Sequence, residues 1–243
     1  METSLLYVRW IVGLIVLLHD WCFACEWVRA ITTRSANIKA EGAGLHRRLI
    51  VDASLGSSNR FIDCQFAYRF VIPAGAYIDM DSVPPLRDHH VAHAYFDTEV
   101  PRERSRDTPL YICSKRALRK NFVFNDHLEL PFHLRYHRAS GNDAVVKFSP
   151  PRLLVRCVEN ATILSEKNCT RFIRKAPCDC LSDARCDWVV LAPKESTPIE
   201  MLVPTGNPAI RPFVVFVTFA FILGGMCVIL YFLFISSRKL KTD

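Results

Sequence analysis

Large apolar residues occupy every second position in two stretches in the middle of the chain, residues 64–72 and residues 128–137. A period of two over eight or more positions is typical of strands with one buried face, so both stretches are predicted to be antiparallel β-strands. The polar face of the second stretch carries His133, Arg135 and His137. We expect these three side chains to point outward, as a polar surface or a contact surface.

Shorter apolar runs separated by turn residues continue the pattern. The further strand candidates are residues 49–51, 110–113, 145–148, 153–158, 188–191 and 201–203. Pro131 cannot donate a ladder hydrogen bond, so it predicts an edge strand or a bulge. Residues 81–106 combine prolines with mixed charges and are predicted to be a long surface loop. About eight short strands without a helical period predict a mainly β fold, an antiparallel β-sandwich-like domain.

The N-terminal apolar run, residues 10–18, is too short to cross a membrane. As a helix it would reach about 13 Å, against a hydrocarbon core of about 30 Å. A short apolar run between Arg9 and small residues is typical of a secretory signal peptide, so we predict that residues 1–24 are removed by cleavage after Ala24. Cleavage after Ala30 and an uncleaved anchor are the alternatives.

The C-terminal apolar run, residues 213–235, carries no charged residue and is long enough to span a bilayer. Lysine and arginine follow it, which places the tail in the cytosol by the positive-inside rule. The predicted organisation is a signal peptide (1–24), a lumenal domain (25–211), one transmembrane helix (212–236) and a cytosolic tail (237–243). This is the topology of a single-pass type I membrane protein.

Two features of the span and the tail suggest specific contacts. Ala220 and Gly224 are four residues apart and share a helix face, which would let a second transmembrane helix approach closely. Lys239 and Lys241 stand fifth and third from the end, as in a dilysine signal that retrieves proteins to the endoplasmic reticulum (ER). The alternative for the lysines is a stop-transfer cluster without a retrieval role.

The cysteines and glycosylation sequons fit an oxidising lumen. Seven cysteines lie in the predicted lumenal part: Cys64, Cys113, Cys157, Cys169, Cys178, Cys180 and Cys186. Cleavage after Ala24 would add Cys25 as an eighth. Disulfides are expected there, although their pairing cannot be read from the sequence, and a zinc cluster at residues 178–186 is the alternative. Asn160 and Asn168 begin Asn-x-Thr triplets and are predicted glycosylation sites.

No catalytic constellation is recognisable in the sequence. Asp79 and Asp81 form an Asp-x-Asp pair, which in nucleotide-sugar transferases can hold a divalent metal, but such pairs are also frequent in turns. The histidines at 89, 90 and 93 fit a solvated loop better than a metal site, because the glutamate of a metalloprotease helix is missing. We expect neither a metal nor a cofactor. The net charge of +7 is too diffuse to predict a nucleic-acid partner.

The residues at the strand ends also resemble a known family, PIG-X. The matching pieces are Gly44-Leu45-His46-Arg47, Ile72-Pro73-Ala74-Gly75, Phe96-Asp97, Leu130-Pro131-Phe132-His133-Leu134-Arg135-Tyr136-His137-Arg138, Cys186-Asp187-Trp188 and Val203-Pro204. They run in order from about residue 44 to the C-terminal helix. The ordered set is more specific than any single piece.

The resemblance implies an ER membrane protein that is not itself an enzyme. Members of the family are lumenal accessory subunits of glycosylphosphatidylinositol (GPI) mannosyltransferase I. They stabilise the catalytic subunit PIG-M, which transfers the first mannose from dolichol-phosphate-mannose. On this basis the expected lumenal contacts with a PIG-M-like partner are His133, Arg135 and His137, with the turn at residues 72–79. Ala220 and Gly224 are the expected contacts in the membrane.

Two other classes of function remain open at this point. A cell-surface receptor or adhesion ectodomain would have the same topology and disulfides, but no retrieval signal in its tail. A lumenal glycosyltransferase acting on its own would need Asp79 and Asp81 as metal ligands. We expect the accessory-subunit role.

Overall fold

The computed structural model describes residues 25–81, 83–118, 121–157, 169–194 and 196–239. The predicted signal peptide, the sequons at Asn160 and Asn168, and Lys241 lie outside the described residues. The described residues form these strands: β1 (Ile31–Glu41), β2 (His46–Phe61), β3 (Cys64–Ile72), β4 (Ala76–Tyr77), β5 (His89–Val91), β6 (Thr108–Ser114), β7 (Asn121–Leu134), β8 (Ala144–Phe148), β9 (Arg152–Cys157), β10 (Ile173–Pro177), β11 (Arg185–Leu191) and β12 (Ile199–Val203).

The strands make three antiparallel sheets. The first sheet has the order β1-β2-β7-β4, and the second has the order β10-β11-β9-β3-β6-β5. The third sheet is the pair β12-β8. Every strand candidate from the sequence overlaps an observed strand. Residues 135–137 of the candidate 128–137 lie beyond the end of β7, and Val158 is outside the described residues. The pattern missed β1, β4, β5 and β10, and β5 lies inside the segment that was predicted to be a loop.

The three sheets share one core. Phe66 of β3 and Phe124 of β7 bring their ring centroids within 4.8 Å across the first two sheets. Phe132 of β7 contacts Phe148 of β8, with centroids 5.0 Å apart, so the third sheet closes onto the same core. Tyr68, Phe70 and other inward-facing residues of β3 are buried in it. The predicted mainly β, antiparallel sandwich-like fold is confirmed.

Pro131 does not mark an edge strand, contrary to the prediction. It lies in β7, opposite Arg48 of β2, and β7 is an inner strand of its sheet. The strand on the other side, β4, pairs only with His133 and Leu134. Pro131 therefore has no ladder partner on its second flank among the described residues, which is where a missing N–H is tolerated.

Disulfides pair all eight cysteines of the described domain. The pairs are Cys25–Cys169, Cys64–Cys157, Cys113–Cys180 and Cys178–Cys186. Cys178 and Cys180 pair with different partners, and no thiol at residues 178–186 is left for zinc. The Cys64–Cys157 bridge joins residues that are paired on the neighbouring strands β3 and β9, and the Cys178–Cys186 bridge spans only 8 residues. The Cys25–Cys169 bridge fixes the start of the described chain to a residue 144 positions further along it.

The described chain contains two α-helices. Helix α1 (Glu26–Ala30) is one short turn ahead of β1. Helix α2 (Arg211–Lys239) covers the predicted span, and its apolar side chains are exposed. Among the described residues it is the one helix that is long and apolar enough to cross a membrane.

Candidate functional site

Two of the sequence pieces that carry the family resemblance, residues 72–75 and residues 130–138, meet at the end of β7. Ala76 of β4 pairs with Leu134, and Tyr77 pairs with His133. One residue further, the backbone N–H of Arg135 donates a hydrogen bond of 2.8 Å to the carbonyl of Gly75. The turn before β4 and the end of β7 therefore form one structural unit.

Arg135 is buried, so the prediction that it lies on an exposed outer face is wrong. Its exposed fraction is 4%. Strand β7 ends at Leu134, so the alternation of inner and outer positions stops before Arg135. The Nη1 atom donates to the carbonyl of Val100 at 2.8 Å, and the guanidinium lies 4.7 Å from the Tyr77 ring centroid. Burial lowers the pKa of Arg135.

His133 and His137 remain partly exposed beside it. The His133 ring stacks on Tyr77, with centroids 4.9 Å apart, and meets His46 edge-on at 4.3 Å. Burial lowers the pKa of His133, and the neighbouring His46 lowers it further. His137 Nδ1 donates to the carbonyl of Arg135 at 2.9 Å. We call His46, Tyr77, His133, Arg135 and His137 the histidine–arginine cluster.

Gly75 lets the turn pack tightly against β8. A Cβ atom at this position would lie 2.7 Å from Cγ2 of Val146 and 3.3 Å from Nε2 of His137. Real Cβ atoms do not approach another carbon at the first of these distances, and a β-branched valine has few rotamers with which to move away. A residue without a side chain is needed here because the side chains of Val146 and His137 occupy the space that a Cβ atom would take.

Residues 97–107 form hydrogen bonds with the two chain segments that carry the cluster. The N–H of Ala74 donates to Asp107 Oδ1 at 2.9 Å. The N–H of Arg138 donates to Glu103 Oε1 at 2.8 Å, and this hydrogen bond lowers the pKa of Glu103. Together with the Arg135 bond to Val100, these contacts order a segment that is otherwise poor in secondary structure.

An exposed apolar pair lies on the third sheet, next to the cluster. Val145 of β8 pairs with Leu202 of β12, and 56% and 59% of their surfaces are exposed. Arg47, adjacent to His46, donates a 3.5 Å hydrogen bond to the carbonyl of Leu202. Because the chain between Val203 and Arg211 can extend at most about 28 Å, this sheet stays close to the start of α2.

A buried polar network joins the first two sheets. Asp126 of β7 accepts hydrogen bonds of 2.7 Å from both Tyr68 Oη and His89 Nε2, and it also accepts one from Arg116. Burial alone would raise the pKa of Asp126, but the hydrogen bonds from His89, Tyr68 and Arg116 outweigh it and lower the pKa. Burial and the nearby carboxylate raise the pKa of Tyr68. The network is a structural link between sheets.

The sequence contained a signal for this network that the pattern analysis did not use. Asp126 has the same alternation phase as Leu128 and Leu130, so it stands at an inward position of β7. A carboxylate at an inward position requires partners. His89, which was predicted to lie in a solvated loop, is one of them and is 4% exposed.

The Asp-x-Asp pair forms a turn. Asp79 Oδ1 accepts a 3.3 Å hydrogen bond from the N–H of Asp81, which is the arrangement of an Asx-turn. No group of three or more potential metal ligands occurs among the residues that the structure describes.

Ala220 and Gly224 lie in α2, and no atom from elsewhere in the described chain lies within 4 Å of a Cβ built on Gly224. Lys239 is the last residue of that helix.

A family model described as PIG-X / PBN1 matches residues 42–234, which include the histidine–arginine cluster, the third sheet and most of α2. The chain belongs to the PIG-X / PBN1 family. The match begins near the start of β2 and ends inside the apolar helix. Both sequence pieces that meet at Gly75 and Arg135 lie within it.

Three curated relatives of this PIG-X / PBN1 chain carry the same name, "GPI alpha-1,4-mannosyltransferase I, stabilizing subunit". The human protein is 29% identical over 153 residues, which are 60% of this chain and 58% of the relative. The rat and mouse proteins are each 27% identical over 153 residues, 59% of their length. The chain thus covers just under three-fifths of the length of these relatives.

Proposed function

We propose that this PIG-X / PBN1 chain is a non-catalytic, stabilising subunit of GPI mannosyltransferase I. The observation that carries the proposal is its similarity to relatives named for this role. Its partner would be a PIG-M-like catalytic subunit that adds the first mannose from dolichol-phosphate-mannose. The chain would be a single-pass type I protein of the ER membrane with its β domain in the lumen.

The targeting features predicted from the sequence belong to the same proposal. Residues 1–24 act as a cleaved signal peptide, Asn160 and Asn168 carry glycans, and the lysines at 239 and 241 retrieve the protein to the ER. Glycans that stay sensitive to endoglycosidase H would support retention in the ER. Resistant glycans on a protein at the cell surface would contradict it.

Stabilisation follows from mass action. A subunit that binds the folded form of its partner, and not the unfolded form, raises the apparent stability of that partner by RT ln(1 + [L]/Kd). A partner that spends less time unfolded is degraded more slowly. Loss of this chain would therefore lower the activity of the complex even though the chain itself carries out no chemical step.

The contact surface has two parts. Within the membrane, α2 packs on a partner helix through Ala220 and Gly224, because small residues allow close approach. In the lumen, the exposed pair Val145 and Leu202 lies on the third sheet, which a short segment of chain links to the start of α2. Arg135 is buried against the Tyr77 ring and donates a hydrogen bond to the carbonyl of Val100, so it positions these neighbours and does not contact the partner itself.

The lumenal part can be tested in cells that lack the endogenous protein. Val145→Ser with Leu202→Ser should lower the amount of PIG-M-like subunit that co-purifies, and surface GPI-anchored proteins should fall several-fold. Val123→Ser with Leu181→Ser is the matched control, because both residues are exposed but lie away from the third sheet. Equal loss in both variants, or loss in neither, would exclude this surface.

A second variant tests the cluster itself. His133→Ser with His137→Ser removes two partly exposed side chains and leaves the buried Arg135 in place. We expect weaker co-purification at an unchanged thermal midpoint of the protein. A lower midpoint with normal co-purification would make the histidines purely structural.

A further inference from the structure

A basic groove lies on the outer face of the second sheet, away from the histidine–arginine cluster. Its volume is about 690 Å³, and its cationic lining residues are Arg34, Arg69, Arg152, Arg171, Arg174 and Lys175. The strand pattern explains the placement. Arg69 alternates with the buried Tyr68, and Arg152 precedes the buried Leu153, so both arginines point away from the core.

The centre of the groove is a pair of like charges. Arg69 of β3 is directly opposite Arg152 of β9 in the antiparallel register, and Tyr111 of β6 is the next residue in the same row. Opposite residues in such a ladder have Cα atoms about 4.5–5.5 Å apart. Like charges directly opposite each other destabilise a sheet. A bound anion would offset the repulsion between the two arginines.

The described residues supply little negative charge to this groove. No Asp or Glu is among its lining residues. Lys175 pairs with Asp187 at 3.2 Å, but no ion pair joins any of the five arginines to a described carboxylate. Arg34 Nε is buried and has no hydrogen-bond partner within the described part of the chain. The groove therefore has guanidinium donors available for a ligand.

The floor of the groove is apolar. Leu154 and Val190 pair across β9 and β11, and Phe172 adds an aromatic ring at one side. Guanidinium groups bind phosphate oxygens in a bidentate manner, and a volume of this size lies within the usual range for small-molecule sites. A cationic rim above an apolar floor fits an amphiphile with a negative head.

We propose that this groove binds the phosphate of an anionic phospholipid headgroup. The chain carries an apolar helix of spanning length, and this helix would hold the β domain close to a bilayer surface. A zwitterionic headgroup would place its own cation among the arginines and bind less well. The proposal goes beyond the stabilising role and does not depend on it.

The test uses the full-length protein purified in detergent and native mass spectrometry. Phosphatidylglycerol and phosphatidylcholine with the same acyl chains are the two probes. We expect the protein to retain phosphatidylglycerol in preference to phosphatidylcholine. Arg69→Gln with Arg152→Gln should reduce this retention roughly tenfold or more, because two charge-assisted hydrogen-bonding groups are lost.

The matched control is Arg87→Gln with Arg104→Gln, which removes two exposed arginines outside the groove. It should retain phosphatidylglycerol as the unmodified protein does. Circular dichroism of both variants confirms that the β fold is kept. Equal retention by the groove variant and the control would overturn the proposal, as would equal retention of the two lipids by the unmodified protein.

Two further arms separate other sources of negative charge. Inorganic phosphate that displaces the lipid at the same concentration as glycerol phosphate would mean a general phosphate site, and would overturn the assignment to a headgroup. Loss of the co-purifying mannosyltransferase in Arg69→Gln with Arg152→Gln, without lipid retention by the unmodified protein, would assign the groove to a protein contact. Normal co-purification with loss of lipid supports the proposal.

Discussion

Tyr68 on β3 donates a 2.7 Å hydrogen bond to Asp126 on β7, and this bond crosses from one sheet of the sandwich to the other. The Asp126 side chain is fully buried, and His89 and Arg116 complete its shell. Apolar contacts alone would hold the two sheets together in several similar arrangements. A buried carboxylate with three donors keeps all of its hydrogen bonds in only one of these arrangements of the sheets.

Replacing Asp126 with Asn should destabilise the domain by about 2–4 kcal/mol, because the buried negative charge is removed and one of its two acceptor oxygens becomes an NH2 donor that faces other donors. For a chain of this size the thermal midpoint would fall by roughly 5–15 °C. Asp187→Asn, which breaks an exposed pair with Lys175, is the control and should cost at most about 1 kcal/mol. Similar midpoints for the two variants would contradict a structural role for the network.

Acidification should destabilise the protein in two steps. The pKa of His133 is lowered in the folded state, so its contribution is present above about 6.5 and is lost as the pH falls through the lowered pKa. Asp126 also has a lowered pKa, and its contribution is lost below about pH 4. Thermal midpoints of the full-length protein between about pH 7.5 and pH 5 report the first step.

Two histidine variants separate the acid destabilisation caused by His133 from the acid stabilisation expected of His127. His127 is hydrogen-bonded to Asp52 and Glu129, which raise its pKa, so protonation of this half-exposed residue favours the folded state slightly. His133→Gln should flatten the decline in stability between neutral and mildly acidic pH, whereas His127→Gln should steepen it. The same slope in both variants would rule out His133 as the titrating group.

Gly75→Ala should destabilise the protein by about 1–3 kcal/mol, the usual cost of overpacking, because the new methyl group would lie 2.7 Å from Val146 Cγ2. Urea denaturation measures the change. Val146→Ala in the same chain should recover part of the loss. Gly206→Ala is the control, because its nearest neighbour would be 3.7 Å away, an ordinary contact.

The four disulfides should differ in their effect on stability. Removing Cys25–Cys169 with two serines should cost about 4 kcal/mol, because its loop is long even when Cys64–Cys157 shortens it. Removing Cys178–Cys186, which spans 8 residues, should cost about 2.5 kcal/mol. Urea midpoints of the two double-serine variants give the order. A reversed order would show that local strain, and not loop length, dominates.

The small-residue face of α2 should be needed for assembly but not for folding of the β domain. Ala220→Leu with Gly224→Leu adds bulk on one face, and co-purification of the catalytic subunit should fall several-fold. Thr218→Leu with Ile222→Phe adds bulk on the opposite face and should be tolerated. Equal effects of the two variants would exclude a specific packing face.

Strands with a clean alternation were predicted well from the sequence. β3 was found with its full length because its inner and outer residues differ strongly. β1 was missed because it buries mainly small or isolated residues, such as Ala36 and Ile38, and gains its order by pairing with β2 along most of its length. β10 buries Ala176 alone and depends on β11 in the same way.

The candidate site was predicted in its composition but not in its geometry. The expected contact surface grouped the turn at residues 72–79 with His133 and His137, and the structure joins the two segments through the Arg135–Gly75 hydrogen bond. The burial of Arg135 could not be predicted, because the apolar alternation continues through Tyr136 although the strand ends at Leu134. Tyr136 is 75% exposed, so the pattern past the strand end reflects no buried face.

The bond between Cys25 and Cys169 imposes an order on biosynthesis. The two cysteines are 144 residues apart, and at about 5–20 residues per second a ribosome needs roughly 7–30 s to make the second after the first. During that interval Cys25 is a thiol without its native partner, while Cys64 and Cys113 emerge as competing ones. Correct maturation therefore requires either that Cys25 stays unpaired until Cys169 has been made, or that an early wrong bond is reshuffled afterwards.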